Sequence, residues 1–261
     1  MFYHPEIRSV VIMGAGNVAW HLGRRLSATG IQVKQVFSRR PEQGKILAAE
    51  LQTGFTNRLD LLAEDADLYV LAVSDDAITP LLRQVQFGQR LVAHMAGSVP
   101  MEVFKGKARN YGVLYPLQTF TQGKPVDFSK VPLFIEANNN RNLEKLKKLA
   151  VKLTGRVYAV DSEKRTYLHL AAVIASNFTN HMFAVAEKVM LERNLSFELL
   201  RPLIEETITK ALSMPPIQAQ TGPAVRGNKQ VLEKHMSMLE EHPEIRELYR
   251  VISESIMEMK E

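Results

Sequence analysis

The chain has 261 residues, a formal net charge of +5, 46% hydrophobic and 23% charged residues, and no cysteine. This is the composition of a folded globular protein with room for one large or two ordinary domains, and it excludes a disulfide framework, thiolate metal ligation and thiol catalysis. The positive charge is scattered: even the densest group, Lys145, Lys147 and Lys148, has Glu144 beside it and no interleaved aromatic residues, so it reads as a solvated helix face and no nucleic-acid partner is expected.

The opening MFYHPEIRSVVIMGAG has no signal-peptide pattern, because the apolar run VVIM is too short. No stretch approaches the ~20 apolar residues of a membrane span. The sequence therefore predicts a cytoplasmic protein with no membrane partner. Residues 8–13 (RSVVIM) read as a buried strand ended by glycine, and 17–30 as a helix with Val18, Leu22 and Leu26 at helical spacing and Gly30 to stop it. Residues 33–37 form the next strand, and 41–51 a helix with proline in its first turn. A third strand over 67–73 leads to a helix that Ser74 and Asp75 can cap. Residues 90–95, 110–117 and 131–137 read as strands, 142–155 as a helix closed by Gly155, and 156–160 as a last strand. The alternation predicts an α/β class: a Rossmann-like, doubly wound, mostly parallel sheet with helices on both faces.

The pattern changes after Asp161. No strand is expected beyond it. The stretch SEKRTYLHLAAVIASNFTNHMFAVAEKVMLERN predicts one helix of about 30 residues, roughly 45 Å long. A second helix, the loop MPPIQAQTGPAVRG and two more helices follow. The last helix carries an apolar stripe of Ile245, Leu248, Tyr249, Ile252, Ile256 and Met259. The expected division is a dinucleotide-binding domain over 1–161 and an all-helical domain over 162–261.

The stretch GAGNVA supplies Gly14, Gly16 and Ala19 in a G-x-G-x-x-A pattern between a buried strand and a helix. Gly14 permits the tight turn, Gly16 lets a pyrophosphate approach the backbone, and Ala19 lets the helix pack on the strand. The helix N-terminus, starting at Asn17 and Val18, offers free N–H groups to phosphate. NAD binders carry an acid after the second strand; here Ser38, Arg39 and Arg40 stand there, 24 residues after Gly14. Arginine offers a planar fork of donors to a 2′-phosphate, and Ser38 adds a hydroxyl. The expected cofactor is NADP(H); the plain alternative is a solvated arginine loop. Ala72, Val73 and Ser74 should border the same crevice. Ser98, after HMAG, falls near the nicotinamide or else caps a short helix at PMEVF.

Together GAGNVA, VFSRR, LAVSDDAI, HMAGS, YPLQTF, ASNF and TGPAVRG resemble a bacterial family assigned as NADP oxidoreductases, with a Rossmann-like N-terminal domain and a helical C-terminal domain of unknown function. The resemblance covers nearly the whole chain. More distantly the chain is similar to pyrroline-5-carboxylate reductases, 6-phosphogluconate and β-hydroxyacid dehydrogenases, and deazaflavin-dependent NADP reductases. In those relatives the helical domain mediates dimerisation and completes the active site, so the resemblance implies a homodimer.

On the long helix, His169, Ser176 and Asn180 fall within about 40° of one another at 100° per residue, with Asn177 just off the line. Such a line can bind and protonate a small polar substrate. β-Hydroxyacid dehydrogenases carry Lys four residues before an Asn; if Asn177 matches that Asn, the Lys position holds Val173. His169 is the substitute proton donor, because an imidazole titrates near neutral pH; a buried structural histidine is the alternative. Gln118, with Tyr115 and Thr119, can line the substrate side. Thr221 offers a hydroxyl and Arg226 a fork for a carboxylate or phosphate. No histidine spacing or paired-acid motif suggests a metal. The expected activity is NADP(H)-dependent hydride transfer to a small carbonyl or imine; an NADP(H)-binding sensor without turnover is the alternative that the missing Lys raises.

Overall fold

A computed structural model describes residues 6–259; the first five residues, part of the stretch read above for a leader, lie outside it. The chain divides into two compact units, Met1–Asn177 and Phe178–Glu261. The first is built on an eight-stranded sheet in the order β3-β2-β1-β4-β5-β6-β7-β8. The strands are β1 Ser9–Met13, β2 Gln32–Phe37, β3 Gly54–Thr56, β4 Leu68–Leu71, β5 Leu91–His94, β6 Asn110–Pro116, β7 Leu133–Ala137 and β8 Val157–Ala159. All neighbours are parallel except β6 and β7. Helices α1 Asn17–Ala28, α2 Pro41–Glu50, α3 Asp75–Gln84 and α4 Asn140–Leu153 complete the layers.

The central strands β1, β4 and β5 are buried at every position. That is why their sequences are continuous apolar runs rather than alternating ones. One apolar cluster gathers Ile12, Leu22, Leu26, Val70 and Leu149; a second, Met13, Leu71, Ile78, Leu82 and Phe104. Because β1, β2, β4, β5 and β6 run the same way, their C-terminal ends share one edge, where a doubly wound sheet binds its ligands. The sequence reading places the strands within a residue or two but misses β3. GFT is only three residues long and begins with glycine, so it carries no periodic signal.

The long helix is also not one regular helix. It runs as α5 Ser162–Ala172, a π-helical turn Val173–Phe178, and α6 Thr179–Leu191. A π-turn holds more residues per turn than an α-helix, so the 100° spacing used to align His169, Ser176 and Asn180 does not hold through it.

Two buried polar groups brace this unit. Arg165 on α5 is fully buried; it pairs with Glu136 of β7 and donates to the Val99 carbonyl at 2.6 Å and to Ser162 Oγ at 3.1 Å. His94 ends β5 with no exposed surface and accepts from the Ala96 N–H at 3.2 Å. Burial, aided by the positive charge of Arg165, pushes His94 down to about 3 from an ordinary 6.5. The folded protein therefore keeps His94 neutral below pH 6.5, where the unfolded chain takes up a proton. The contribution of His94 to stability is expected to fall as the pH drops through 6.5, approaching about 1.4 kcal/mol per pH unit below pH 5.5, the loss ending near pH 3. Between pH 7 and 5.5, where the unfolded imidazole is still titrating, the contribution of His94 is expected to be a loss of about 1.2 kcal/mol, measured by urea unfolding as a larger fall in the wild type than in His94→Asn.

The second unit is helical: α6, α7 Arg201–Ser213, α8 Pro216–Ala219, α9 Lys229–Met238 and α10 Pro243–Glu258. His235 on α9 hydrogen-bonds Tyr249 on α10 at 2.7 Å. In the α10 stripe, Ile245 is buried and Leu248, Tyr249, Ile252 and Ile256 are partly so, whereas Met259 is exposed. Among the described residues, α6 to α9 have no fully buried side chain. Leu191, Leu199, Leu203 and Leu212 stand exposed, Leu212 by 84%. No helix of the described residues is long and apolar enough to cross a membrane.

Candidate active site

At the C-terminal edge of the sheet, the turn after β1 passes against the turn after β4. Gly14 has φ +130, and a Cβ there would lie 2.1 Å from the Ala72 carbonyl oxygen. Only glycine allows this approach. Gly16 is the residue before α1; no side chain caps the helix, and a Cβ on Gly16 would meet nothing within 4 Å. The first-turn N–H groups are thus left for an anion, over an open floor. Ala19 is fully buried beneath.

A cavity of about 540 Å³ opens here, lined by Gly14, Gly16, Ser38, Arg39, Arg40, Ala72, Val73 and Ser74 among the residues expected from the sequence. Gln43, Asn57, Leu59, Pro80, Leu81 and Gln84 also line it and were not expected. Asn57 follows β3, so recognising that strand would have found it. Ser38 is buried; its hydroxyl donates to the Arg40 carbonyl at 3.0 Å and receives the Arg40 N–H at 3.2 Å. It shapes the turn that carries the arginines, rather than offering its proton outward as the sequence reading has it. Arg39 and Arg40 are exposed at the cavity, no acidic side chain lines it, and no described carboxylate pairs with either guanidinium. Ser74 stands before α3 as its cap residue but makes no capping hydrogen bond.

Asn17 and Val18 do not line this cavity. The Asn17 carboxamide oxygen instead accepts from the Gln122 N–H at 3.2 Å. His21, one turn on, is buried and bonds the Thr121 carbonyl at 3.0 Å. Its ring lies 4.9 Å from that of Phe120 and meets Trp20 edge-on at 4.8 Å, while the Arg24 guanidinium covers Trp20 at 4.5 Å. The loop after β6 is therefore fastened to the start of α1.

The same loop forms one wall of a second cavity of about 290 Å³, lined by Tyr115, Leu117, Gln118, Thr119, His169, Ala172, Val173, Ala175, Ser176 and Asn177. Ser176 and Asn177 both reach it from the π-turn. Tyr115 Oη lies 3.0 Å from His169 Nδ1. Burial pushes the Tyr115 phenol up, with the negative charge of Asp75 adding to it, so the group keeps its proton at neutral pH. No lysine, arginine or acidic side chain lines this cavity, and Val173 is part of its wall. Ser98 is not in its lining; it donates to Asp75. Nor does Ser98 cap the short helix Met101–Phe104, which starts after Pro100 and whose Met101 N–H is taken by Ser162 Oγ at 2.9 Å. Asn180, Thr221 and Arg226 belong to the second unit, where all three are exposed.

Residues 9–97 match the family model described as NADP oxidoreductase coenzyme F420-dependent, and residues 131–256 match a domain of unknown function, DUF2520. No curated protein matches the chain. Among solved structures, a Bacteroides fragilis protein assigned as an NADP oxidoreductase is 41% identical, with a TM-score of 0.92 over 97% of this chain and 98% of that one. A 1-pyrroline-5-carboxylate reductase from Streptococcus pyogenes is 13% identical, with a TM-score of 0.63 over 97% of this chain and 98% of that one. An imine reductase from Myxococcus stipitatus, in complex with NADP+, is 16% identical, with a TM-score of 0.62 over 96% and 92%. The last two share the fold. With 41% identity along nearly its whole length, the chain belongs to the NADP oxidoreductase family, in which a Rossmann-like dinucleotide-binding domain is followed by a DUF2520 region.

Proposed function

We propose that this oxidoreductase uses NADP(H) and transfers hydride between the nicotinamide and a small carbonyl or imine compound. The observation that carries the reading is the far end of the larger cavity, where Arg39 and Arg40 stand on the Ser38 turn with no acidic side chain in the cavity lining. An acid there would repel a 2′-phosphate; two uncompensated guanidiniums attract one. The imine reductase with bound NADP+ and the pyrroline-5-carboxylate reductase on the same fold support the cofactor and the C=N substrate class.

In this reading Gly14, Gly16 and the first-turn N–H groups of Asn17 and Val18 hold the pyrophosphate. Ala72, Val73 and Ser74 line the path of the cofactor, and Ser98 lies toward its reactive end. The cofactor, when bound, supplies the hydride. Gln118 and Asn177 orient the substrate. His169 donates a proton to the oxygen or nitrogen that hydride addition leaves negative, and accepts it back in the reverse direction. Thr221 and Arg226 are the helical domain's candidates for an anionic substrate group, and Asn180 its further polar candidate. The dinucleotide domain ends near residue 161, and the protein works in the cytoplasm.

The helical domain serves dimerisation. A helical unit with so few buried side chains and so many exposed leucines does not bury enough apolar surface alone. Leu203→Asp combined with Leu212→Asp is expected to yield a monomer in analytical ultracentrifugation, against a wild-type dimer. The cofactor reading is tested by Arg39→Asp. NADPH affinity should fall at least tenfold, about 1.4 kcal/mol, with little change for NADH; an equal loss for both would make Arg39 a structural residue.

A further inference from the structure

We infer that Tyr115 is a positioning residue: its hydrogen bond to Nδ1 fixes the ring of His169 so that Nε2 is the nitrogen presented to the ligand. The inference rests on the proposed role of His169 as proton donor. Three observations converge on it. Tyr115 Oη and His169 Nδ1 are 3.0 Å apart, their ring centroids 6.0 Å apart and nearly perpendicular, so the phenol meets the imidazole edge through a single nitrogen. Both side chains line the 290 Å³ cavity, and among the described residues Nε2 has no hydrogen-bond partner. Gly97 clears the space for the pair: a Cβ there would lie 2.6 Å from His169 Nδ1 and 2.8 Å from Tyr115 Cζ. The backbone after β5 thus presses against the pair from below, and β6 holds the phenol from the side.

The chemistry follows from which atom holds a proton. Tyr115 is 8% exposed and remains a phenol, and on this assignment its O–H donates to Nδ1 in the neutral pair. The neutral imidazole then carries its proton on Nε2. When His169 is protonated, both nitrogens bear hydrogen; Nδ1–H turns to the phenol oxygen as acceptor, and Nε2–H remains for the ligand. Loss of the Nε2 proton to the substrate leaves neutral imidazole with its hydrogen on Nδ1, donated to the phenol oxygen, and a lone pair on Nε2 that can take the proton back. A proton from solvent at Nε2 restores the cation, which returns to the Nε2–H tautomer when Nδ1 releases its proton to solvent. Tyr115 gives up no proton in the cycle. Which nitrogen faces a ligand is set by the bond the other makes, and no lysine is needed in the place of Val173.

The test is nitrogen NMR of protein carrying 15N-labelled histidine, which separates the two neutral tautomers. Wild-type His169, assigned by its loss in His169→Gln, is expected to be the Nε2–H tautomer in its neutral form. Tyr115→Phe keeps the ring and removes the bond; it should give a mixture of tautomers, with NADPH affinity within about twofold of wild type. Gly97→Ala provides a second disturbance and should move the His169 resonances by displacing the ring. Identical tautomer populations in wild type and Tyr115→Phe would overturn the inference. Failure of the wild type to bind NADPH would instead defeat the cofactor reading, while the tautomer comparison would still decide the role of Tyr115.

Discussion

Replacing Arg165 by alanine is expected to cost about 3–5 kcal/mol of stability, because it leaves the Glu136 carboxylate buried without its counter-charge. The side chain of Arg165 is 1% exposed and that of Glu136 12%, so solvent can do little to compensate either. The loss spreads beyond the pair. Ser162 donates from its backbone and hydroxyl to the same carboxylate at 3.0 and 2.8 Å, and Arg165 also holds the Val99 carbonyl. One guanidinium therefore ties the start of α5 to β7 and to the loop after Ser98. The unfolding midpoint should drop by roughly 10 °C, measured by calorimetry. A double variant, Arg165→Met with Glu136→Leu, separates lost charge pairing from lost shape. It should recover much of the stability, since well-packed apolar residues can replace a buried ion pair at little cost. No recovery would mean that the bonds to Val99 and Ser162 matter more than the pair.

Gly14→Ala is the second substitution with a large expected effect. At φ +130 an alanine is strained by about 1–3 kcal/mol. The new Cβ would also sit 2.1 Å from the Ala72 carbonyl oxygen and 2.6 Å from its carbon, which are backbone atoms with no rotamer to turn. Relief requires the ends of β1 and β4 to part, and these ends form the floor of the larger cavity. Both stability and NADPH affinity should fall, the affinity by at least tenfold, about 1.4 kcal/mol. Gly16→Ala is the control, for its Cβ would meet nothing in the protein. It should fold normally and weaken NADPH binding alone. Unchanged folding of Gly14→Ala would show that the two turns can separate freely.

Much of this architecture is legible in the sequence because its strands are buried on both faces and its turns need glycine. RSVVIM and DLYVLAV announce themselves as apolar runs, and GAGNVA as a strand-to-helix turn. What escapes has a common cause: the partners are distant or the signal is short. β3 has three residues. The carboxamide of Asn17 is engaged by Gln122, 105 positions away, so its neighbours in sequence say nothing of its use. Tyr115 and His169 are 54 positions apart. Arg165 reads as one more surface cation on a helix beginning SEKR, and only packing reveals it as buried. VIASNF gives no cue for a π-turn, since its residues suit an α-helix as well. In the sequence the Ser38 hydroxyl suits a ligand donor, because the two-residue turn that consumes it depends on backbone geometry.

Trp20 is the single tryptophan of the chain, and it sits on the first turn of α1 between the Arg24 guanidinium and the ring of His21. All indole emission thus originates at one known place. That place adjoins the glycine turn on one side and, through His21 and Thr121, the loop of the smaller cavity on the other. Indole emission overlaps the absorption of a reduced nicotinamide, so the native protein carries a built-in optical reporter. Its emission is expected to be quenched when NADPH enters the dinucleotide crevice and to change wavelength when the loop moves, and neither readout needs a label or an engineered residue.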